Sequence, residues 1–87
     1  MTQAETRKAI QALGLTTRVT DGEWRIAHGV PYYLACGHGY KAAVERNEAQ
    51  AAYVSDATDA LNTAREFART ADANAQWERE RNVASGA

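Results

Sequence analysis

The pattern of apolar and polar residues has a period of two between residues 15 and 28, where two alternating runs flank the dipeptide Asp21-Gly22. Asp-Gly between alternating runs is a strong signal of a β-hairpin with a two-residue turn, because both turn positions need a positive φ. We therefore predict a hairpin over residues 15–28. The turn sets the register, which pairs Val19 with Trp24 on an apolar face and Arg18 with Arg25 on an open face.

A helical period appears on both sides of the hairpin. Thr2 followed by Glu5 is a capping-box pattern, and apolar residues at helical spacing then end at Gly14, so we predict a helix over residues 2–13. Further along, Asp56 or Ser55 can cap a second helix, and small or apolar residues recur every three or four positions up to residue 71. We predict a helix over residues 56–72, which the mixed-charge run at 77–81 could extend to residue 82.

The segment between the hairpin and the second helix has no clean period. Pro31 cannot donate a backbone hydrogen bond and so ends the second strand, and Cys36 to Gly39 is typical of a turn or loop. We predict an irregular insertion over residues 29–49 and then a strand over residues 50–54, because two strands alone are rarely stable. The alternative for part of this segment is a helix over residues 40–50, which its composition favours.

These elements together predict one small α+β domain over residues 1–87. Its antiparallel sheet has three strands, with a fourth as an alternative, and the N-terminal and C-terminal helices pack on one face of it. The chain has few large apolar residues for its 87-residue length. We therefore expect stabilisation by a protein partner or by formation of a homodimer.

Composition narrows the class of protein. The net charge of −1 gives no general attraction to nucleic acid or to anionic membranes. No apolar run approaches the roughly 20 residues of a membrane-spanning helix, so we expect no membrane partner. A single cysteine, Cys36, excludes an internal disulfide and leads us to expect a cytoplasmic protein.

The only imidazole and thiol groups of the chain lie close together in sequence. They belong to His28, Cys36 and His38 and could give three ligands to zinc, but their spacing matches no standard zinc site. We therefore predict neither a metal nor another cofactor and keep this set as an alternative. A nucleophilic Cys36 would also need an orienting group and an oxyanion donor. The sequence identifies neither, so we predict that the chain is not an enzyme.

Candidate binding residues lie on the open face of the hairpin and in the segments after it. Arg18 opposite Arg25 is mildly unfavourable unless Glu23 or an anion from a partner compensates the charge. Arginine together with tyrosine is typical of protein and nucleic-acid contacts, whereas the acidic residues elsewhere argue against a long phosphate track. Trp77 either packs on the segment 29–40 or anchors a second chain. The candidate binding residues are Arg18, Arg25, Tyr32, Tyr33, His38, Tyr40 and Trp77.

The chain resembles a known group in the order of its elements and in residues 12–16, 18–23 and 51–61. The group comprises the small αβββα proteins carried by phages, prophages and plasmids of proteobacteria, and the resemblance covers residues 2–28 and 50–71. Some small proteins of mobile elements inhibit host defence, as anti-CRISPR proteins do, and the resemblance implies at most such a role. The segment 29–49 departs from the pattern of the group.

The function we predict is therefore a non-enzymatic protein-binding module of a mobile genetic element. Its expected partner is a protein of a host defence complex, such as a CRISPR-associated complex, which it would inhibit. One alternative is a nucleic-acid-associated accessory protein that uses Arg18, Arg25 and the tyrosines. The other alternative is a metal or thiol protein that uses His28, Cys36 and His38.

Overall fold

A computed structural model describes residues 2–86 of the chain, and the side chains of residues 2–81. The described residues form three strands in one antiparallel sheet of order β1-β2-β3, and five helices. The predicted α+β class and three-stranded antiparallel sheet are thus confirmed, and residues 2–86 contain no fourth strand. The elements are α1 (Gln3–Ala12), β1 (Thr16–Thr20), β2 (Glu23–Ala27), α2 (Val30–Ala35), α3 (Tyr40–Gln50), β3 (Ala52–Val54), α4 (Ala57–Arg69) and α5 (Ala71–Gly86).

The hairpin of β1 and β2 has the predicted register, with Val19 opposite Trp24 and Arg18 opposite Arg25. Its turn residues Asp21 and Gly22 have φ of 51° and 79°. A positive φ at both positions matches the right-handed twist of the two strands, which explains the Asp-Gly pair. The third strand pairs with β2, so that Val54 lies opposite Trp24.

The hydrophobic core lies between the hairpin, α1 and α4. Trp24 and Ile26 of β2 belong to the same buried cluster as Ile10 of α1, and the buried alanines of α4 complete it. Alanine brings no bulk, so the backbone of α4 can approach the strands closely and the two large side chains fill the space. The buried members of this cluster are Ile10, Leu15, Trp24, Ile26, Ala60 and Ala64.

Side-chain caps fix where α1 and α4 begin. At α1, Thr2 Oγ1 accepts a hydrogen bond from the Glu5 amide, and Glu5 accepts one from the Thr2 amide, both at 3.1 Å. At α4, Asp56 Oδ1 accepts from the Asp59 amide at 3.0 Å. These caps satisfy amides that have no partner within the helix, as the sequence predicted from Thr2, Glu5 and Asp56.

The prediction of an irregular insertion over residues 29–49 is wrong. The chain there forms α2 and α3, and α3 matches the alternative of a helix over residues 40–50. The strand β2 ends at Ala27, ahead of the predicted break at Gly29-Val30-Pro31, and Pro31 lies in the first turn of α2, where its missing amide hydrogen costs nothing. Ala43 and Asn47 are buried, so one side of α3 packs against the rest of the domain. This packing stabilises the helix in addition to the helix propensity of its alanines.

The predicted helix over residues 56–72, with its extension to residue 82, is interrupted at Thr70. This residue has φ −101° and ψ 6° and separates α4 from α5, which runs from Ala71 to Gly86. The Thr70 hydroxyl donates to the carbonyl of Glu66 at 3.0 Å, and a threonine bonded in this way disturbs the backbone hydrogen-bond ladder. Beyond the interruption, α5 contacts α2 as well as α4.

Gly29, between β2 and α2, is a position where alanine is expected to destabilise the protein by about 1–3 kcal/mol. Its φ is 102°, and a Cβ atom there would lie 3.1 Å from Thr16 Cγ2. Its amide also donates to Asn47 Oδ1 at 2.9 Å. Urea denaturation of Gly29→Ala would measure the loss. The control is Gly39→Ala, which has φ −69° and open space and should cost less than about 1 kcal/mol; equal costs would contradict the strain argument.

Candidate functional site

The most buried charged group of the protein's described part is Glu78, on α5. Its side chain is 1% exposed and bonds two residues that lie far away in sequence. Arg46 of α3 donates to Glu78 Oε1 from Nη2 at 2.6 Å and from Nε at 3.2 Å. His38 Nε2 lies 2.9 Å from Glu78 Oε2. These bonds link α5 to α3 and to the turn that precedes α3.

The electrostatics of this network keep Glu78 ionised. Burial by itself raises the pKa of Glu78, but hydrogen bonds from Arg46 and His38 and their charges outweigh burial, so the pKa lies below its ordinary value. The same partners hold the carboxylate in one place, and its 1% exposure leaves almost none of it open to a substrate. We therefore assign Glu78 a structural role in joining α3 and α5.

An aromatic cluster surrounds this network and extends to α4. The rings of His28 and Tyr32 are stacked with centroids 4.1 Å apart, and Phe67 of α4 lies 5.0 Å from His28. The Tyr32 hydroxyl donates to the Ala71 carbonyl at 2.7 Å. Tyr33 is fully buried. Of the predicted binding residues, Tyr32, Tyr33 and His38 thus contribute to the interior rather than to an open surface.

The protonation states of the cluster disfavour nucleophilic chemistry. Burial raises the pKa of the Cys36 thiol and lowers the pKa of His28, so the thiol stays protonated and the imidazole neutral. Burial, together with the charge of Glu78, raises the pKa of Tyr33 to about 12. Within residues 2–81, no group of three or more His, Cys, Asp or Glu side chains is arranged to hold a metal ion.

The open face of the hairpin carries a second network. Arg25 Nη2 donates to Glu48 Oε2 at 2.7 Å, and the Tyr53 hydroxyl donates to Glu48 Oε1 at 2.5 Å. Hydrogen bonds from Tyr53 and Arg25 lower the pKa of Glu48, and the charge of Arg18 acts in the same direction. The acid that pairs with Arg25, one of the two facing arginines, is thus Glu48 of α3, whereas the sequence suggested Glu23 or an anion from a partner.

One side of α3 continues this network as an exposed stripe. Tyr40, Val44 and Glu48 are four residues apart, which places them along one side of the helix. Tyr40 is 72% exposed, Val44 is 40% exposed and Tyr53 on the neighbouring strand is 46% exposed. Since Glu48 bonds both Arg25 and Tyr53, the stripe and the open sheet face meet there. The α3–sheet surface consists of Arg18, Arg25, Tyr40, Val44, Glu48 and Tyr53.

Trp77 lies apart from this surface, on α5. Its ring is 46% exposed, with the guanidinium of Arg46 5.7 Å and that of Arg81 4.8 Å from the ring centroid. Such distances are typical of cation–π contacts, which hold an aromatic ring in place while one side of it stays open. Trp77 therefore covers the outer side of Arg46, the residue that binds Glu78.

Sequence reasoning missed most of the groups that organise these networks. Glu78 was part of a mixed-charge run, and its partner His38 is 40 residues away. The spacing of four between Tyr40, Val44 and Glu48 could have predicted a shared surface, but only if this segment had been assigned as a helix. Tyr53 was missed as well, and its pairing with Arg25 places it on the open face.

Comparison with protein-family models, with curated proteins and with solved structures finds no match to this chain. Over residues 2–86, every helix falls short of the combination of length and hydrophobicity that crossing a lipid bilayer requires. The assignment of function therefore depends on the residues and their geometry.

Proposed function

We propose that this protein is a small, non-enzymatic protein-binding module that contacts its partner through the α3–sheet surface. The observation that carries the proposal is the Glu48 carboxylate, which bonds Arg25 and Tyr53 simultaneously. It joins the exposed stripe of α3 to the arginine row of the sheet, so that aromatic, aliphatic and guanidinium groups form one surface.

The chemistry of this surface is that of protein interfaces. Tyrosine and arginine are enriched among the residues that carry binding energy. Charged groups of an interface usually lie at its rim, around an apolar centre. Tyr40 and Val44 supply apolar area, and both lie on a regular helix. A surface built on helix and sheet loses little conformational entropy on binding, which supports affinity at small area.

The acidic residues of the surface favour a protein partner over nucleic acid. Glu48 lies within the α3–sheet surface, and Glu23 precedes Arg25 by two positions on the same face of β2. Both carboxylates repel a phosphate backbone, which needs several basic contacts in succession. A protein surface, with its own mixture of acidic, basic and apolar groups, complements this arrangement better.

The finer proposal concerns the identity of the partner. The resemblance of residues 2–28 and 50–71 to small αβββα proteins of mobile elements supports a protein of a host defence complex, such as a CRISPR-associated complex, as the target of inhibition. Residues 29–49 lie outside this resemblance and contain α3. Under this proposal the segments that resemble the group form the framework, and α3 adds a binding surface that is specific to this chain.

The proposal predicts that the double variant Tyr40→Ala/Val44→Ala loses partner binding. Tagged wild-type protein would first capture its partner from the native host, and calorimetry with the purified partner would then compare the variants. We expect a loss of at least about 30-fold in affinity, the size of one hot spot. Both residues are exposed, so the thermal transition should change little.

Trp77→Ala is the matched control, since Trp77 is also an exposed aromatic residue but lies outside the α3–sheet surface. It should keep the wild-type affinity within about threefold. A loss in Trp77→Ala with full binding by the double variant would overturn the choice of surface. Absence of any captured protein together with salt-dependent binding of DNA or RNA would overturn the proposed function in favour of the nucleic-acid alternative.

A further inference from the structure

The first strand, β1, forms an open edge of the sheet. Within residues 2–86 it pairs only with β2. In a two-residue hairpin the pair next to the turn exchanges both backbone hydrogen bonds, and such pairs alternate along the strands. Thr20–Glu23 and Arg18–Arg25 are therefore hydrogen-bonded pairs, and the backbone groups of Thr17 and Val19 point away from β2 toward the open edge.

Arg18 is the charged residue of this edge strand, and it is exposed. It shares a row across the sheet with Arg25 and Tyr53. Arg25 has the carboxylate of Glu48 at 2.7 Å. In the described part of the chain, no hydrogen bond or ion pair of this kind reaches the guanidinium of Arg18. Two arginines of this row thus share one acid, Glu48, and within the described residues the arginine without a direct ion pair is the one at the open edge.

We propose that an extended, acidic segment of the protein partner pairs antiparallel with β1 and places a carboxylate opposite Arg18. The inference rests on the proposed function, because it names the chemistry of the partner at the edge of the same surface. The position opposite Arg18 would be a non-hydrogen-bonded pair, in which Cα atoms lie about 4.5 Å apart and side chains are closest. The carboxylate would complete the row as Glu48 does at Arg25, in the manner of strand addition to a sheet edge.

The charge of the edge favours this occupant over a second copy of the chain. Antiparallel pairing of β1 with its own copy around Arg18 would place two guanidiniums opposite each other, which is unfavourable. Lysine and arginine on edge strands discourage self-pairing in this way. A nucleic acid would meet the carboxylates of Glu23 and Glu48 beside the single open arginine. An acidic polypeptide strand satisfies both the unpaired backbone and the unpaired charge.

A pair of synthetic peptides tests the inference on the intact protein. Both are short strand-forming peptides of threonine and valine, one with a central glutamate and one with a central lysine. Nuclear magnetic resonance of labelled protein should show shifted amide signals and slowed hydrogen exchange at Thr17 and Val19. We expect the glutamate peptide to bind about tenfold more tightly than the lysine peptide. The ratio should fall to about one in Arg18→Gln and persist in Arg65→Gln, which removes an exposed arginine from α4.

Several results would overturn the inference. They are equal affinity for the two peptides, no shift at millimolar peptide, or an unchanged ratio in Arg18→Gln. Tighter binding of an oligothymidylate at the same amides would assign the edge to nucleic acid, and concentration-dependent shifts of the free protein there would assign it to a second copy. Failure here is distinguishable from failure of the proposed function. If Arg18→Gln binds the captured partner normally and Tyr40→Ala/Val44→Ala does not, only the edge assignment is lost.

Discussion

Replacing Glu78 by glutamine is expected to lower the free energy of unfolding by about 3 kcal/mol, the lower end of the range for breaking a buried ion pair. The variant leaves Arg46 and His38 without their anionic partner, while Gln keeps the size of the side chain. The guanidinium of Arg46 is partly exposed and can recover some hydration, which limits the loss. In a domain of this size the change corresponds to a fall in Tm of about 12–24 °C.

Thermal and urea denaturation would measure this loss, with Glu80→Gln as the control. Glu80 lies on the same helix but is exposed, so its replacement should change stability by less than about 0.5 kcal/mol. A second variant, Arg46→Met/Glu78→Leu, removes both charges and should be more stable than Glu78→Gln, because no buried charge is left unpaired. Equal stability of Glu78→Gln and wild-type protein would show that the network does not hold α5.

The loss of stability in Glu78→Gln should depend on pH. The pKa of Glu78 in the folded protein lies below its ordinary value of about 4.3, so its contribution is fully present above that value and disappears as the pH falls through the folded-state pKa. A protonated glutamate resembles glutamine. The difference in unfolding free energy between wild type and Glu78→Gln should therefore shrink as the pH falls below about 4. A difference that stays constant in acid would contradict the assigned cause.

The hairpin could be predicted because its determinants are local. Asp21 and Gly22 decide the turn, the turn decides the register, and the register decides which side chains share a face. The caps at Thr2 and Asp56 are similarly local, since each involves an amide three residues away. Features of this kind depend only on residues that are close together in the chain, so they can be predicted from the sequence.

The segment between the hairpin and β3 could not be predicted in the same way. Pro31 and the glycines at 37 and 39 were interpreted as signs of a loop, although Pro31 starts one helix and Gly39 caps the next. What decides between the interpretations is tertiary. Asn47 of α3 accepts from the amide of Gly29 at 2.9 Å, and this contact becomes visible only when the helix lies against the end of β2.

The candidate site was likewise predictable only where its determinants are local. The facing arginines were predicted from the register, and their need for a nearby anion followed from charge alone. The identity of that anion depended on α3, so Glu48 was missed together with the helix that carries it. Glu78 was missed for a different reason, because an alternating charge run is typical of a solvated helix and gives no sign that one member is buried.

Replacing Trp24 by alanine is expected to have the second large effect, a loss of about 3–5 kcal/mol in the free energy of unfolding. Trp24 is 4% exposed and lies between Val19 of β1 and Val54 of β3 in the sheet. Its indole fills the space that the alanines of α4 leave open. Removal of the indole leaves a cavity in this cluster, so the lost burial and the cavity add up.

Trp77→Ala is the matched control for this prediction too, because the chain has two tryptophans. Trp77 is 46% exposed, and its loss should cost about 1 kcal/mol or less, mainly its cation–π contacts. In Trp77→Ala the remaining fluorescence comes from Trp24 and should show the blue-shifted emission of a buried indole, moving to longer wavelength when urea unfolds the protein. Emission at the solvent-exposed wavelength before unfolding, or equal costs for the two replacements, would place Trp24 outside the core and remove the basis for the two faces of the sheet.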